Sequence, residues 1–315
     1  MKAYFIHVAD GRTRLEKRDA PQPVPGPGQL LIRVHAAGLN RGEFIVGGLT
    51  KAGAAKAAGQ EAAGEVVGTG QRVMGRCPGG FAEFALMEAR EAIPIPAHLS
   101  WEEAASIPLT FTVVHDMLLE QGRLKAGEWL LVTGISSGVG VAALQAAKAL
   151  GAKVIGTSGS AEKLARLKEH GLDLGIHTRK PDFSKMVLEA TAGTGANLAV
   201  NTVGGSVFPE IIRALAFEGR LAIVGYVDSV LTSEVDLEAV HVKRLRIFGV
   251  SNKLRNAEQR AAGVRGFVTD FLPLFSAGRI KPLLDRVFPF EEIEAAKVHM
   301  ESNRHAGKIV VKMAA

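Results

Sequence analysis

A chain of 315 residues, 47% hydrophobic and 22% charged, carries apolar material for about two globular domains. Its net charge of +6 is spread along the chain apart from a denser stretch at 241–265, and two Trp with two Tyr leave little aromatic surface for stacking bases, which argues against nucleic-acid binding as a main role. The single cysteine, Cys77, excludes an internal disulfide framework and any multi-cysteine metal site, and points to a reducing compartment.

Met1 to Gly11 mixes Lys2, Tyr4, His7 and Asp10 among apolar residues and reads as a first strand, not a signal peptide. No run reaches the roughly 18 apolar residues of a membrane helix, so a cytoplasmic protein without membrane contact is expected. The first hundred residues read as β-rich, with short strands at Tyr4–Val8, Gln29–His35, Glu65–Val67, Arg72–Gly75 and Phe81–Met87. Pro21 to Gly28 is a turn-rich connector that cannot be helical. Residues 51–63, rich in Ala, Gly and Lys, suggest a mobile loop or frayed helix. Gly68-Thr69-Gly70 reads as a tight hairpin turn, and Ser100 with Glu103 as a capping box for a short helix through Ala105.

From about Phe111 the pattern becomes alternating helices and buried strands. Strands are expected at Trp129–Thr133, Lys153–Thr157, Leu174–His177, Leu198–Thr202, Arg220–Gly225 and Arg246–Val250. Helices are expected at Thr112–Glu120, Val141–Leu150, Ala161–His170, Phe183–Thr191 and Phe208–Leu215. Apolar strands separated by helices argue an α/β, doubly wound parallel sheet. The tail adds helices at Ala257–Ala277 and Glu291–Asn303 and a last strand, Lys308–Lys312, which can return to the first domain. The expected division is therefore 1–111 with 253–315 as one domain and 112–252 as the other.

The stretch from Leu130 to Gln145 carries the chemistry. An apolar run stops at Thr133-Gly134; a turn of Ser136, Ser137, Gly138, Val139 and Gly140 follows, and an Ala- and Leu-rich helix begins. A strand, a glycine turn and a helix N-terminus, with a second strand following, form the phosphate-binding element of a dinucleotide fold. The end of the second strand, which meets the adenine ribose in such folds, holds Ser158, Gly159 and Ser160 and no carboxylate; Lys163 lies one turn into the next helix, and Thr178 and Arg179 follow the third strand. Hydroxyls and cations in place of an acid favour a 2′-phosphate, hence NADP(H). Lys163 has a plainer reading as a solvated lysine paired with Glu162 or Glu169.

Several segments, in order, resemble one family. They are Ala37-Gly38-Leu39-Asn40-Arg41, Gly59-Gln60-Glu61-Ala62-Ala63-Gly64-Glu65-Val66, Phe111-Thr112, Ser137-Gly138-Val139-Gly140, Gly151-Ala152-Lys153-Val154-Ile155 and Gly307-Lys308-Ile309-Val310-Val311. The chain resembles the zinc-independent medium-chain dehydrogenases/reductases of the quinone oxidoreductase (zeta-crystallin-like) type. The resemblance implies a partly open, GroES-like β-barrel catalytic domain interrupted by a Rossmann domain, with the active site in the cleft between them. Zinc-containing relatives carry a Cys near Gly38, a His where Gln60 stands and a four-Cys lobe; this sequence has none of these, and no metal is expected. The chain departs from the family after Glu65, where the hairpin is shortened to Thr69-Gly70-Gln71-Arg72-Val73, and at 46–58, which lacks the Tyr and Pro often found near the substrate mouth.

By the resemblance, NADPH would reduce a quinone or other conjugated carbonyl, and the charge developing on the carbonyl oxygen would need a donor. Asn40 is the candidate donor near nicotinamide or substrate, and Thr112 is expected to orient the nicotinamide ribose or amide. Arg41 can favour an oxyanion electrostatically, or form a structural ion pair with Glu43 or Glu61. Val203, Gly225, Tyr226, Val250 and Ser251 follow later strands, where the cofactor cleft is expected, with Tyr226 packed on the cofactor or simply at the surface. Asn303 falls where the family's C-terminal helix nears the adenine phosphate. A 2-enoyl thioester reductase on the same fold is an alternative; so is a non-enzymatic NADPH-binding adaptor using the basic 241–265 stretch. The glycine turn also fits short-chain dehydrogenases, but their Tyr with a Lys four residues later is missing: Tyr4 is followed by Val8 and Tyr226 by Val230. Strand Lys243–Val250 comes last in the sheet, and in the resembling family such edges join two subunits, so a homodimer is expected; Lys243, Arg244 and Arg246 argue against it as guards of a free edge.

Overall fold

The computed structural model describes residues 1–46, 50–51 and 53–314 and divides the chain into two units, Met1–Thr110 with Pro282–Ala315 and Phe111–Lys281. In the first, β1 (Lys2–Ala9) and β2 (Arg12–Asp19) form an antiparallel hairpin. Asp10 and Gly11 at its tip both have positive φ, as a two-residue turn matched to strand twist requires. β2 is absent from the expected strands because only Thr13 along it is buried, so its sequence shows no apolar alternation.

Strands β3 (Gln29–Gly38), β4 (Lys56–Ala57), β5 (Glu61–Val66), β6 (Arg72–Arg76), β7 (Phe84–Glu88) and β8 (Ile93–Pro94) follow. β4 pairs with β1, while β3, β5, β6 and β8 lie side by side and β7 also pairs with β3. The loop or frayed helix expected at 51–63 is corrected: apart from Ala52, which lies outside the described residues, the segment supplies β4 and the start of β5, with Ala58, Ala62 and Ala63 fully buried. Small residues are needed there because the strands crowd together; a Cβ on Gly64 would run into the Arg33 carbonyl and the Ile32 side chain. Helix α1 (Trp101–Ala105) starts at the expected capping box, with Ser100 Oγ accepting the Glu103 N–H and Glu103 accepting the Ser100 N–H.

Helix α2 (Pro108–His115) runs into a wider π turn at Asp116–Glu120. The second unit then alternates β9 (Trp129–Thr133), α3 (Gly138–Ala149), β10 (Lys153–Ser158), α4 (Ala161–Glu169), β11 (Leu174–His177), α5 (Ser184–Ala190), β12 (Ala196–Asn201), α6 (Phe208–Ala214), β13 (Leu215–Ile223), α7 (Leu237–Val242) and β14 (Arg246–Gly249). The six strands are parallel in the order β11-β10-β9-β12-β13-β14. This is the doubly wound order that reverses between its first and fourth strands, here β9 and β12. Leu131, Ile155, Val187, Ile211 and Leu221 fill its interior.

Helices α8 (Ala257–Asp270) and α9 (Leu272–Ser276) belong to this second unit, so the expected return at residue 253 is moved to Pro282. The reason is aromatic packing: Phe275 meets Phe111 edge-on at 4.8 Å, Phe271 meets His115 edge-on, and His115 Nε2 lies 2.7 Å from Asp270 Oδ2. The chain then re-enters the first unit as β15 (Leu284–Pro289), α10 (Ile293–Glu301) and β16 (Lys308–Lys312). β16 lies antiparallel to β3, with Val310 opposite Gly38, and parallel to β15.

Candidate functional site

The glycine turn is held by contacts within the protein itself. Gly134 leaves β9 with positive φ, and Ser137 Oγ caps α3 by accepting the Gly140 N–H at 3.1 Å. A Cβ on Gly140 would lie 2.6 Å from the Ile135 carbonyl oxygen and 2.8 Å from that of Gly134, so the helix can start this close to the strand only with glycine. Ser136 and the N-cap Ser137 therefore lead into a twelve-residue helix whose first turn holds Gly138, Val139 and Gly140, at the switch point of the sheet. Free N–H groups at such a terminus are ready to receive a phosphate.

The neighbouring strand tip gathers the residues expected to sense the ribose. Ser158 Oγ lies 3.2 Å from Ser136 Oγ and accepts the Ser160 N–H, while Ser160 Oγ accepts the Lys163 N–H and caps α4. The Arg179 side chain lies across Gly159, occupying the space where a Cβ would stand. Ser158, Gly159, Ser160, Lys163 and Arg179 are thus brought together. Thr178 is adjacent, but its hydroxyl is committed to Asp182 Oδ1 at 2.6 Å, which makes it a loop anchor.

Farther along the same rim, a buried network absent from the sequence reading fixes the later turns. Asn201 Oδ1 accepts the N–H groups of Val203 and Gly204, its Nδ2 donates to Gly204 O, and Thr133 Oγ1 donates to Oδ1. Thr202 Oγ1 donates to Thr133 O at 2.7 Å. Val203 is held beside Gly134, and Gly225 lies against the Thr202 carbonyl. Tyr226 is 54% exposed in the turn after β13. Val250 follows β14 with its N–H on Ile223 O, and Ser251 Oγ accepts the Lys253 N–H. Thr112 is half-buried on α2.

In the first unit, Asn40 stands at the end of β3 beside two residues that sequence reasoning did not place in a site. Its Nδ2 donates to Glu61 Oε1 at 2.8 Å, and its Oδ1 accepts from Lys308 Nζ at 2.7 Å. Lys308 Nζ also pairs with Glu61 Oε1 at 2.7 Å, and Glu61 Oε2 accepts the Leu109 N–H at 2.8 Å. Glu61 is fully buried and Lys308 nearly so. The opposition of β16 to β3 brings Lys308 here; the signal lay in the Gly307-Lys308 step of the final strand.

Arg41 makes neither of its expected ion pairs. Its guanidinium donates to Met300 O at 2.9 Å and Asn303 Oδ1 at 2.7 Å, closing the C-terminal end of α10, and burial lowers its pKa. The expected partners are engaged elsewhere: Glu61 by Lys308, and Glu43 by the Gly59 N–H at 2.7 Å. Burial pushes the Glu43 carboxyl up to about 7, against hydrogen bonds from Gly59 and Gln60. Asn303, with positive φ, is brought to Arg41 within the first unit.

Gly38, near which zinc relatives carry a Cys, has no room for any side chain: a Cβ would lie 2.5 Å from Glu61 Oε1 and 2.6 Å from Ala105 O. Among the described residues, no group of three or more His, Cys, Asp or Glu side chains is arranged to hold a metal ion. Within the basic stretch, Lys243 Nζ donates to the carbonyls of Ile212, Arg213 and Leu215. Arg244 pairs with Glu218, Arg255 with Asp116, and Arg265 with Glu258. Among the described residues, no helix is long and apolar enough to cross a membrane.

Residues 26–97 match the alcohol dehydrogenase GroES-like domain, and residues 138–263 match the zinc-binding dehydrogenase family. Prostaglandin reductase-3 of Bos taurus is 30% identical over 334 residues, covering 94% of this chain and 84% of the relative. A phenolphthiocerol/phthiocerol polyketide synthase of Mycobacterium tuberculosis is 30% identical over 311 residues, and this chain spans only 14% of its length. The quinone oxidoreductase of Thermus thermophilus, solved also in complex with NADPH, superposes with a TM-score of 0.84 at 28% identity over 99% of this chain and 100% of that one. With its GroES-like unit interrupted by a Rossmann unit and full-length similarity of this degree, the chain belongs to the medium-chain dehydrogenase/reductase family of NAD(P)-dependent oxidoreductases, among the relatives of the quinone oxidoreductases.

Proposed function

We propose that the protein is an NADPH-dependent reductase of a quinone or another conjugated carbonyl, working without zinc, in the cytoplasm and as a homodimer. The observation that carries the cofactor reading is the tip of β10, where Ser158, Gly159 and Ser160 lie beside Arg179 and the start of α4, with no carboxylate to repel a 2′-phosphate. The Ser137–Gly140 turn receives the pyrophosphate, and the turns at Val203, Gly225, Tyr226, Val250 and Ser251 complete the rim on which the rest of the nucleotide lies. Thr112 orients the nicotinamide end.

When bound, NADPH supplies a hydride to the conjugated acceptor. The protein's own task is to stabilise the charge that then develops on the acceptor's carbonyl oxygen, and Asn40 Nδ2 is the donor for it. Arg41 acts at one remove, by fixing the end of α10 through Met300 and Asn303. A zinc ion does not fit these residues: among the described residues Glu61 joins no group of three His, Cys, Asp or Glu side chains, and it already has its counter-charge in Lys308. No step is therefore assigned to a metal.

The dimer reading is supported by β14, which ends the sheet with Ile247 41% exposed. Lys243, expected as a guard of that edge, instead caps the C-terminal end of α6. Cys77 is a lone buried thiol whose pKa burial pushes up to about 12, which leaves it unreactive. The similarity to a segment of a polyketide synthase favours a second reading, reduction of a 2-enoyl thioester. An NADPH-oxidation screen over quinones, enones and a crotonyl thioester tests both. Turnover of quinone or enone above thioester supports the first reading, and the reverse order supports the second. Tight NADPH binding with no turnover on any acceptor refutes both and leaves a non-enzymatic adaptor.

A further inference from the structure

We infer that Lys308 is a positioning residue for the reaction, acting through Asn40, whose carboxamide it holds in the one orientation that keeps Nδ2, and not Oδ1, as the atom able to donate to an acceptor. The inference rests on the reading of Asn40 as the donor to the acceptor's carbonyl. A carboxamide has an oxygen and an NH2 of nearly equal size and can sit either way round. Here the chemistry of its neighbours decides. The Lys308 ammonium has no lone pair to offer, so the atom 2.7 Å from it must be Oδ1. The Glu61 carboxylate has no proton to give, so the atom 2.8 Å from it must be Nδ2.

The three groups close on one another, because Lys308 Nζ and Asn40 Nδ2 both meet Glu61 Oε1, and Leu109 N–H holds the other carboxylate oxygen. One Nδ2 hydrogen is spent on Glu61. The second is left with only a marginal 3.5 Å contact to Gly38 O, and Asn40 itself is half-buried rather than sealed in. A cation on the amide oxygen also draws electrons from nitrogen and strengthens that remaining donor, as hydrogen bonds in a chain polarise one another. Stability alone is a poor account of the arrangement, since a buried ion pair adds little over an apolar pair of the same volume. What it supplies is orientation.

The test is a double-mutant cycle in steady-state kinetics with NADPH and the best acceptor, using Lys308→Met, Asn40→Ala and the double variant of the full chain. Melting curves and NADPH titrations accompany each. Lys308→Met is expected to lower kcat by about 10- to 100-fold with little change in NADPH affinity. Asn40→Ala should do the same, and the double variant should be no slower than the slower single one. Parental kcat in Lys308→Met, or a double variant as slow as the product of the two single losses, overturns the positioning role while leaving Asn40 as donor. Unchanged kcat in Asn40→Ala overturns both. Should Lys308→Met fail to fold with Glu61 left uncompensated, Lys308→Met/Glu61→Gln removes both charges together. It is expected to fold with the same loss of kcat, and parental kcat in that pair overturns the inference.

Discussion

Glu43 makes the stability of the protein depend on pH in a direction opposite to that of most carboxylates. The side chain is buried, accepts the Gly59 N–H, and holds its proton to about pH 7, where a glutamate in the unfolded chain releases it near 4.5. Below the lower value both states are protonated and Glu43 carries no penalty. Between the two the folded state binds more protons, so stability falls as pH rises; above the upper value the whole cost is present, about 3 kcal/mol. Glu43→Gln keeps an oxygen for the Gly59 N–H and cannot ionise. At pH 5, just above the unfolded value, the variant should exceed the parent in thermal and urea unfolding by only about 1 kcal/mol. At pH 8 it should be more stable by up to about 3 kcal/mol, a gap of roughly 5 °C in Tm for a chain of 315 residues. Taking the difference between variant and parent cancels every other titrating group. A gap of equal size at the two pH values, or a variant that is the less stable at pH 8, refutes the reasoning.

Arg179→Ala and Lys163→Ala should each weaken NADPH by about 10- to 100-fold and leave NADH nearly unchanged in fluorescence titrations, the value of a charge-assisted phosphate contact; equal losses for both nucleotides would remove the phosphate role. Dialysis against a strong chelator should leave turnover intact, whereas stoichiometric zinc in elemental analysis with chelator-sensitive turnover would show that a metal is used. Light scattering at micromolar concentration should give twice the 33.3 kDa chain mass; a monomer mass that persists on concentration rules out pairing through β14.

Long, strongly periodic elements were legible in the sequence. Trp129–Thr133, Leu174–His177 and Lys308–Lys312 have the same limits in sequence and structure, because each is a short segment carrying apolar residues and bounded by turn signals. Elements whose residues gain their conformation from neighbours were not. The charged β2 follows β1 through backbone pairing, β4 and β5 are small-residue strands, and β15 and α7 are too short or too exposed to carry a period. The site divides along the same line. The phosphate turn is written locally, as a glycine pattern between a strand and a helix. The Asn40–Glu61–Lys308 cluster joins residues 268 positions apart through the antiparallel pairing of β16 with β3, which no local pattern encodes. The alternative ion pair of Arg41 with Glu43 or Glu61 is not formed for a related reason: the fold brings α10 to the guanidinium instead.

The Arg179 side chain rests in the hollow left by the missing Cβ of Gly159. On the proposed NADPH reading, cofactor choice is a matter for a pair, one residue that donates charge and one that makes room for it. Placing an aspartate at 159 would do two things in a single step: install the carboxylate that NAD-specific folds use at this strand tip, and neutralise the arginine in its own resting place. An evolving lineage could cross from one nicotinamide pool to the other there without passing through an intermediate that binds neither, and the same position is where a designer would begin.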